Sequence, residues 1–136
     1  MKTVLVAILL VGAVMLGGLA AGAHHSFSAQ YDSAKPVETK GTVTKVEWTN
    51  PHARFYVDVK NERGDVTSWN FEIASPNILA RNGWTRNTLK IGDIVTVTGF
   101  LGRTSPPEGP RMAIAGGVVA ADGRKLFASS ASDLGR

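Results

Sequence analysis

The sequence predicts a small all-β protein: a five- to six-stranded antiparallel barrel with one short helix between strands 3 and 4. Three observations lead to this fold. Short segments alternate apolar and polar residues, as half-buried strands do. Clusters of Gly, Asp, Asn and Pro separate these segments and mark tight turns. A single segment has helix start and stop signals, and it follows the third strand-like run.

The first 23 residues have the layout of a secretory signal peptide. One positive charge at Lys2 precedes an apolar run from Val4 to Leu16, and Ala21-Gly22-Ala23 supplies the small residues of a cleavage site. The alternative is an uncleaved anchor, because residues 4–23 could just span a bilayer of ~30 Å. Glycines dilute the run and favour cleavage. We therefore expect an exported protein, periplasmic or secreted, with no stable membrane span after cleavage.

Composition limits the chemistry of the mature chain. None of the 136 residues is cysteine, which excludes disulfides and thiolate metal sites. Loss of Lys2 would leave 14 basic and 11 acidic side chains, spread along the chain, so nucleic acid is not an expected partner. We predict one domain: an extended leader over 24–36, an OB-like barrel over 37–127 and a flexible tail over 128–136.

The leader shows no hydrophobic period, and Phe27 and Tyr31 are its candidate anchors on the barrel. The first strand is predicted over residues 37–48. Its apolar parity changes after Val43, and Gly41 lies inside it. Both features indicate a bulged, sharply bent strand.

Strands two and three form a predicted hairpin around residues 61–65, where Gly64 supplies a positive φ. Each strand alternates inward apolar residues with outward polar ones. The inward residues are Phe55, Val57, Val59, Trp69, Phe71 and Ile73, and the outward ones are Arg54, Tyr56, Asn70 and Glu72.

The predicted helix starts after Ser75, with Pro76 in its first turn, and ends at Gly83, so that Trp84 can pack back on Leu79.

Three further strands are predicted over residues 94–101, 111–121 and 124–127, with a proline-rich loop at 103–110 between the first two. This order, with a bent first strand and no long crossover, is that of the OB barrel. Another small antiparallel barrel or a sandwich is the alternative.

Several segments also resemble a known family. They are Ala23–Phe27, Lys40–His52, Trp69–Glu72, Gly83–Arg86 and Gly92–Asp93, and together they resemble the small exported bacterial proteins of the family DUF6152. The resemblance covers essentially the whole mature chain, and its Asn-Pro-His segment is the most specific part. It implies an exported single-domain protein, and it implies no activity, ligand or site residues.

The three histidines suggest a metal site. Cleavage after Ala23 would make His24 the N-terminal residue, whose α-amine and imidazole can chelate one metal, with a third nitrogen from His52 or His25. Three nitrogens in a plane suit Cu(II), and the arrangement resembles the histidine brace of copper proteins. The α-amine, with an ordinary pKa near ~8, loses its proton at modest cost. The chain from His25 to Val37 can span ~40 Å.

Several alternatives to this copper site remain open. In one alternative, His24 and His25 are only polar residues of the leader, and His52 caps the end of a strand. Cleavage after Ala21 would give Gly-Ala-His, which also binds Cu(II) or Ni(II) and does not need His52. Asp32, Glu47 and Asp58 are candidate oxygen ligands.

A second hypothesis is a metal-free envelope binding or interaction module with no cofactor. Its outer face, on strands two and three, would present Arg54, Tyr56, Asn70 and Glu72 to a glycan, a peptide or another envelope partner. The opposing interpretation is a solvated face over an aromatic core. No nucleophile elbow, phosphate loop or metalloprotease motif occurs, so we do not predict an enzyme. The sequence does not predict an oligomeric state.

Overall fold

The structure, a computed structural model, describes residues 27–129. The predicted signal peptide, His24, His25 and most of the predicted tail lie outside the described residues. The elements are α1 (Phe27–Gln30), β1 (Tyr31–Glu47), β2 (Arg54–Lys60), β3 (Val66–Glu72), α2 (Pro76–Arg81), β4 (Ile94–Gly102), β5 (Arg111–Ala120) and β6 (Lys125–Ala128). Within residues 27–129, no helix is long and apolar enough to cross a membrane.

Five strands close into a ring of hydrogen-bonded neighbours in the order β1, β2, β3, β5, β4 and back to β1. The closing pair, β3 with β5, is parallel and joins Trp69 through Glu72 to Arg111 through Ile114. The other pairs in the ring are antiparallel, and β6 continues along β5 beyond the end of β3. This is the OB arrangement, and the predicted fold class is confirmed.

The leader is part of the barrel, which differs from the prediction. Phe27–Gln30 is a helical turn, and β1 begins at Tyr31 rather than at Val37. The first half of β1 pairs with β4, and its second half pairs with β2. Pro36 interrupted the sequence pattern, but it lies at a register shift in the β1 and β4 pairing, where a proline can be accommodated.

The predicted bend of β1 is confirmed. The register with β2 shifts between Val43 and Lys45, and Gly41 approaches β2 so closely that a Cβ would collide with the carbonyl oxygen of Asp58 and a methyl group of Val57. Glycine at this position lets one strand serve two neighbours and turn the corner of the barrel.

We expect Gly41→Ala to lower the free energy of unfolding by about 2 kcal/mol, because the new methyl group would push β1 off β2. Urea unfolding measures the change. Thr44→Ala, at an exposed position of the same strand, is the control and should stay within about 0.5 kcal/mol of the wild type. A Gly41→Ala protein of unchanged stability would contradict the close approach of the strands.

The hairpin of β2 and β3 builds the aromatic centre of the core as predicted. Phe71 is fully buried, with its ring centroid 5.5 Å from that of Phe55 and 5.6 Å from that of Trp69, both in stacked geometry. Asn70 and Glu72 alternate with these rings along β3 and therefore lie on the opposite face.

The helix α2 also follows the prediction. The Ser75 side chain accepts from the backbone N of Ile78, and Gly83 has a φ of 82°. Trp84 donates from its backbone N to the carbonyl of Leu79 at 3.0 Å, and its indole Nε1 donates to the carbonyl of Leu126 at 2.6 Å. The helix end is thereby fixed to β6.

Candidate functional site

His52 stands at the end of the barrel, two residues before β2 and next to the cis peptide bond between Asn50 and Pro51. Half of its side chain is exposed, at 51%. Its Nδ1 lies 2.9 Å from Oε1 of Glu72, the last residue of β3. This contact engages one ring nitrogen and leaves Nε2 as the nitrogen available to a ligand.

Glu72 is the centre of the polar contacts around His52. It is 5% exposed, and its two carboxylate oxygens have different partners: Oε1 contacts His52, and Oε2 accepts a hydrogen bond from Nη2 of Arg54. A buried carboxylate needs such partners because its desolvation is costly. The Arg54 guanidinium balances the charge of this carboxylate.

Tyr31 contacts the same carboxylate from the start of β1. It is buried, and burial raises the pKa of its phenol well above the usual value of 10.0. The negative charge of Glu72 and a hydrogen bond to it raise this pKa further, whereas the positive charge of Arg54 lowers it. Tyr31 therefore keeps its proton in the folded protein.

This protonation predicts a pH dependence of stability. Above pH 10 the phenol of the unfolded chain ionises while that of the folded chain stays protonated, so the contribution of Tyr31 to stability is present below pH 10 and falls above it. We expect the difference in unfolding free energy between the wild type and Tyr31→Phe to shrink between neutral pH and about pH 11. Urea unfolding across this range measures it; a constant difference would contradict the raised pKa.

The contacts continue outward over β2 and β1. Arg54 Nη1 donates to Oδ1 of Asn70 at 3.4 Å, and the Asn70 amide donates to the Tyr56 hydroxyl at 3.2 Å. The Tyr56 hydroxyl donates to Glu47 at 3.3 Å, and Glu47 pairs with Lys45 at 2.6 Å. The Lys45 ammonium also lies 5.0 Å from the centre of the Tyr56 ring.

At the outer end of these contacts, Lys45 and Glu47 each stabilise the charged form of the other. The hydrogen bond and the ion pair with Glu47 raise the pKa of Lys45, and the hydrogen bond from Lys45 lowers the pKa of Glu47. We call the full set the polar network. Its members are Tyr31, Lys45, Glu47, His52, Arg54, Tyr56, Asn70 and Glu72.

The structure brings all four predicted ligand-binding residues into this network, but not as an open face. Asn70 and Glu72 have the predicted outward parity, yet they are only 7% and 5% exposed. Sequence reasoning missed the roles of Tyr31 and Lys45. The register of β1 could have pointed to Lys45, which pairs with Tyr56 across the bulge.

Each candidate oxygen ligand has other side-chain partners, Glu47 among them with Lys45 and Tyr56. Asp32 lies 3.8 Å from Lys35 and 3.7 Å from Arg103, and the Ser68 hydroxyl donates to Asp58 at 2.6 Å. Across residues 27–129, no group of three His, Cys, Asp or Glu side chains is arranged to hold a metal ion.

A cleft of about 550 Å³ opens beside His52, between the end of β3, α2 and the end of β6. Polar and apolar groups line it about equally, and His52 and Glu72 are among the lining residues. Other lining residues are Ile73, Ser75, Ile78 and Phe127. The half-exposed imidazole thus borders a cavity large enough for a small molecule.

Fold and site together define a small OB-type barrel protein with a carboxylate-supported histidine at one end. The chain belongs to a family of unknown function, DUF6152, whose model matches residues 13–110. No curated protein matches the chain.

Proposed function

We propose that this protein is exported to the periplasm or the cell exterior and binds one Cu(II) ion through the α-amine and imidazole of His24 and Nε2 of His52. The observation that carries the proposal is the contact of His52 Nδ1 with the buried carboxylate of Glu72 at 2.9 Å. Metal-binding histidines characteristically direct their second nitrogen to a carboxylate, which fixes the ring and strengthens the ligand.

The path of the chain supports the approach of His24. The first described residue, Phe27, packs on Tyr31 with 5.8 Å between ring centroids, and Tyr31 interacts with the carboxylate that contacts His52. His24 is three residues before Phe27, within about 10 Å of extended chain. This distance is shorter than the ~40 Å that the sequence alone allowed for the chain from His25 to Val37.

The donor set favours Cu(II) among divalent ions. Two imidazoles and an amine form the nitrogen-rich, tetragonal environment that Cu(II) prefers, and no thiolate is present to favour a softer ion. Binding would displace one proton from the α-amine, so affinity should rise with pH up to the pKa of that group. The proposed role is binding of the ion, without catalysis.

Mass spectrometry of the exported protein, followed by an EPR-monitored Cu(II) titration of the same sample, tests this proposal. We expect a chain beginning at His24 and a single type 2 signal with coupling to three nitrogens. A chain beginning at Gly22 with a signal from amide nitrogens, or loosely held copper that a weak chelator removes at once, would refute it.

A second candidate is a metal-free binding module, and the cleft beside His52 favours it. The ligand would enter the cleft, whose lining includes His52 and Glu72 of the polar network. Filling the cleft with Ile78→Trp should then abolish capture of an envelope ligand while leaving Cu(II) binding unchanged. Capture that persists in Ile78→Trp but is lost in Tyr56→Ala would move the site to the face of β2 and β3.

A further inference from the structure

The imidazole of His52 offers the cleft beside it a hydrogen-bond acceptor. Its Nδ1 lies 2.9 Å from Oε1 of Glu72, and because a carboxylate oxygen accepts, Nδ1 carries the proton and donates. In a neutral imidazole the other nitrogen, Nε2, then has a lone pair and no proton. Within residues 27–129, Nε2 has no hydrogen-bond partner. Glu72 therefore fixes the tautomer in which His52 accepts from a ligand.

Glu72 also lines the cleft, but it is already engaged. It is 5% exposed, and Tyr31 and Arg54 donate hydrogen bonds to its carboxylate in addition to the contact from His52. The Arg54 guanidinium also balances its charge. An ammonium group in the cleft would lose hydration without gaining an unpaired carboxylate, which disfavours a cationic ligand.

Two other polar side chains of the cleft serve the ends of α2. The Ser75 hydroxyl accepts from the backbone N of Ile78 at 3.4 Å, and the Asn82 amide donates to the carbonyl of Ile78 at 2.9 Å. Buried apolar side chains also line the cleft, and they can contact the hydrocarbon part of a ligand. They are Ile73, Ile114 and Phe127.

We propose that the cleft binds a small neutral molecule with an apolar body and one hydroxyl group, an alcohol or a phenol, whose O–H donates to Nε2 of His52. The inference rests on the second candidate function, the metal-free binding module, and names its ligand class. A ligand carboxylate would place a second acceptor against Nε2 with no proton between them, which disfavours an anion. A hydroxyl supplies the donor, and the cleft of about 550 Å³ can hold such a molecule.

NMR titrations of the exported chain test this ligand class. They are run at about pH 8, where imidazole is ordinarily neutral, with EDTA present to remove metal ions. Four probes share one ring: phenol donates a hydrogen bond, anisole does not, benzoate is an anion and benzylammonium is a cation. We expect phenol to shift the amide signals of His52, Ile114 and Phe127 and to bind about tenfold more tightly than anisole, as one neutral hydrogen bond allows. Both ions should bind more weakly than phenol.

Two variants locate the contact. His52→Ala removes the acceptor, so phenol should bind no better than anisole, while the affinity for anisole should stay that of the wild type. Ile78→Trp fills the cleft and should abolish binding of both probes. Ile91→Trp is the matched control, because Ile91 is 74% exposed and does not line the cleft, and it should leave both affinities unchanged. The comparison of the four probes on the wild type carries the test if His52→Ala does not fold.

The outcomes separate this inference from the function on which it rests. Equal affinity for phenol and anisole in the wild type, tighter binding of either ion, or no shift with any probe overturns the hydroxyl ligand. Loss of envelope-ligand capture in Ile78→Trp would still support the cleft as the site of the binding module. Probe binding and ligand capture that both persist in Ile78→Trp overturn the inference and the cleft function together.

Discussion

Replacing His52 with alanine is expected to weaken Cu(II) binding at least about a hundredfold, because the variant loses the nitrogen that the barrel contributes to the proposed site. The barrel should remain folded, since the side chain is half exposed and lies outside the core. Isothermal titration with a competing chelator measures the affinity, and circular dichroism reports on the fold.

His25→Ala is the matched control for this experiment. If His52 supplies the third nitrogen, His25→Ala binds copper like the wild type. The reverse pattern, with His25→Ala defective and His52→Ala normal, would place the whole site at the terminus. A His52→Ala protein that fails to fold would show that His52 has a structural role instead.

Replacing Glu72 with alanine should have the largest effect on stability, about 3 kcal/mol of unfolding free energy at neutral pH. The substitution leaves Arg54 without its carboxylate and removes the shared partner of His52 and Tyr31. The value lies at the lower end for a broken buried pair because Arg54 is partly exposed and regains some solvation. Urea unfolding gives the free energy directly.

Glu38→Ala removes a carboxylate from an exposed position of β1 and should change stability by no more than about 0.5 kcal/mol. Glu72→Gln removes the negative charge of the side chain but keeps its shape. We expect it to lose less stability than Glu72→Ala but still to bind Cu(II) about tenfold more weakly, because the amide supports the imidazole poorly. Wild-type affinity in Glu72→Gln would contradict the proposed link between Glu72 and the metal.

Much of the barrel could be predicted because its central hairpin alternates strictly. The alternation of Phe71 with Asn70 and Glu72 indicates the pleat of β3, and Gly41 indicates the bend of β1. Both features can therefore be predicted from the local sequence. The start of β1 could not be found in this way. Its pairing with β4 is irregular between Asp32 and Pro36, so the local pattern contains no period to detect.

The alternation along the strands also predicted part of the candidate site. It placed Asn70 and Glu72 on the correct face, but it does not indicate which residues cover that face. Glu72 at the end of β3 contacts Tyr31 at the start of β1, far away in the sequence, and this contact depends on how the sheet closes. The burial of Glu72, which makes His52 a candidate ligand, was therefore not visible in the sequence.

The pairing of Tyr31 with Gly102 joins two positions that are far apart along the chain. We expect such contacts to slow closure of the barrel, because the loop-closure entropy must be overcome before they form. Tyr31 and Glu72 come into contact only in the closed sheet. Under the proposed copper function, a chain whose barrel is still open would offer the ion only the donors at its terminus, and we expect His52 to join them after closure. Tight Cu(II) binding would then report that the barrel has closed.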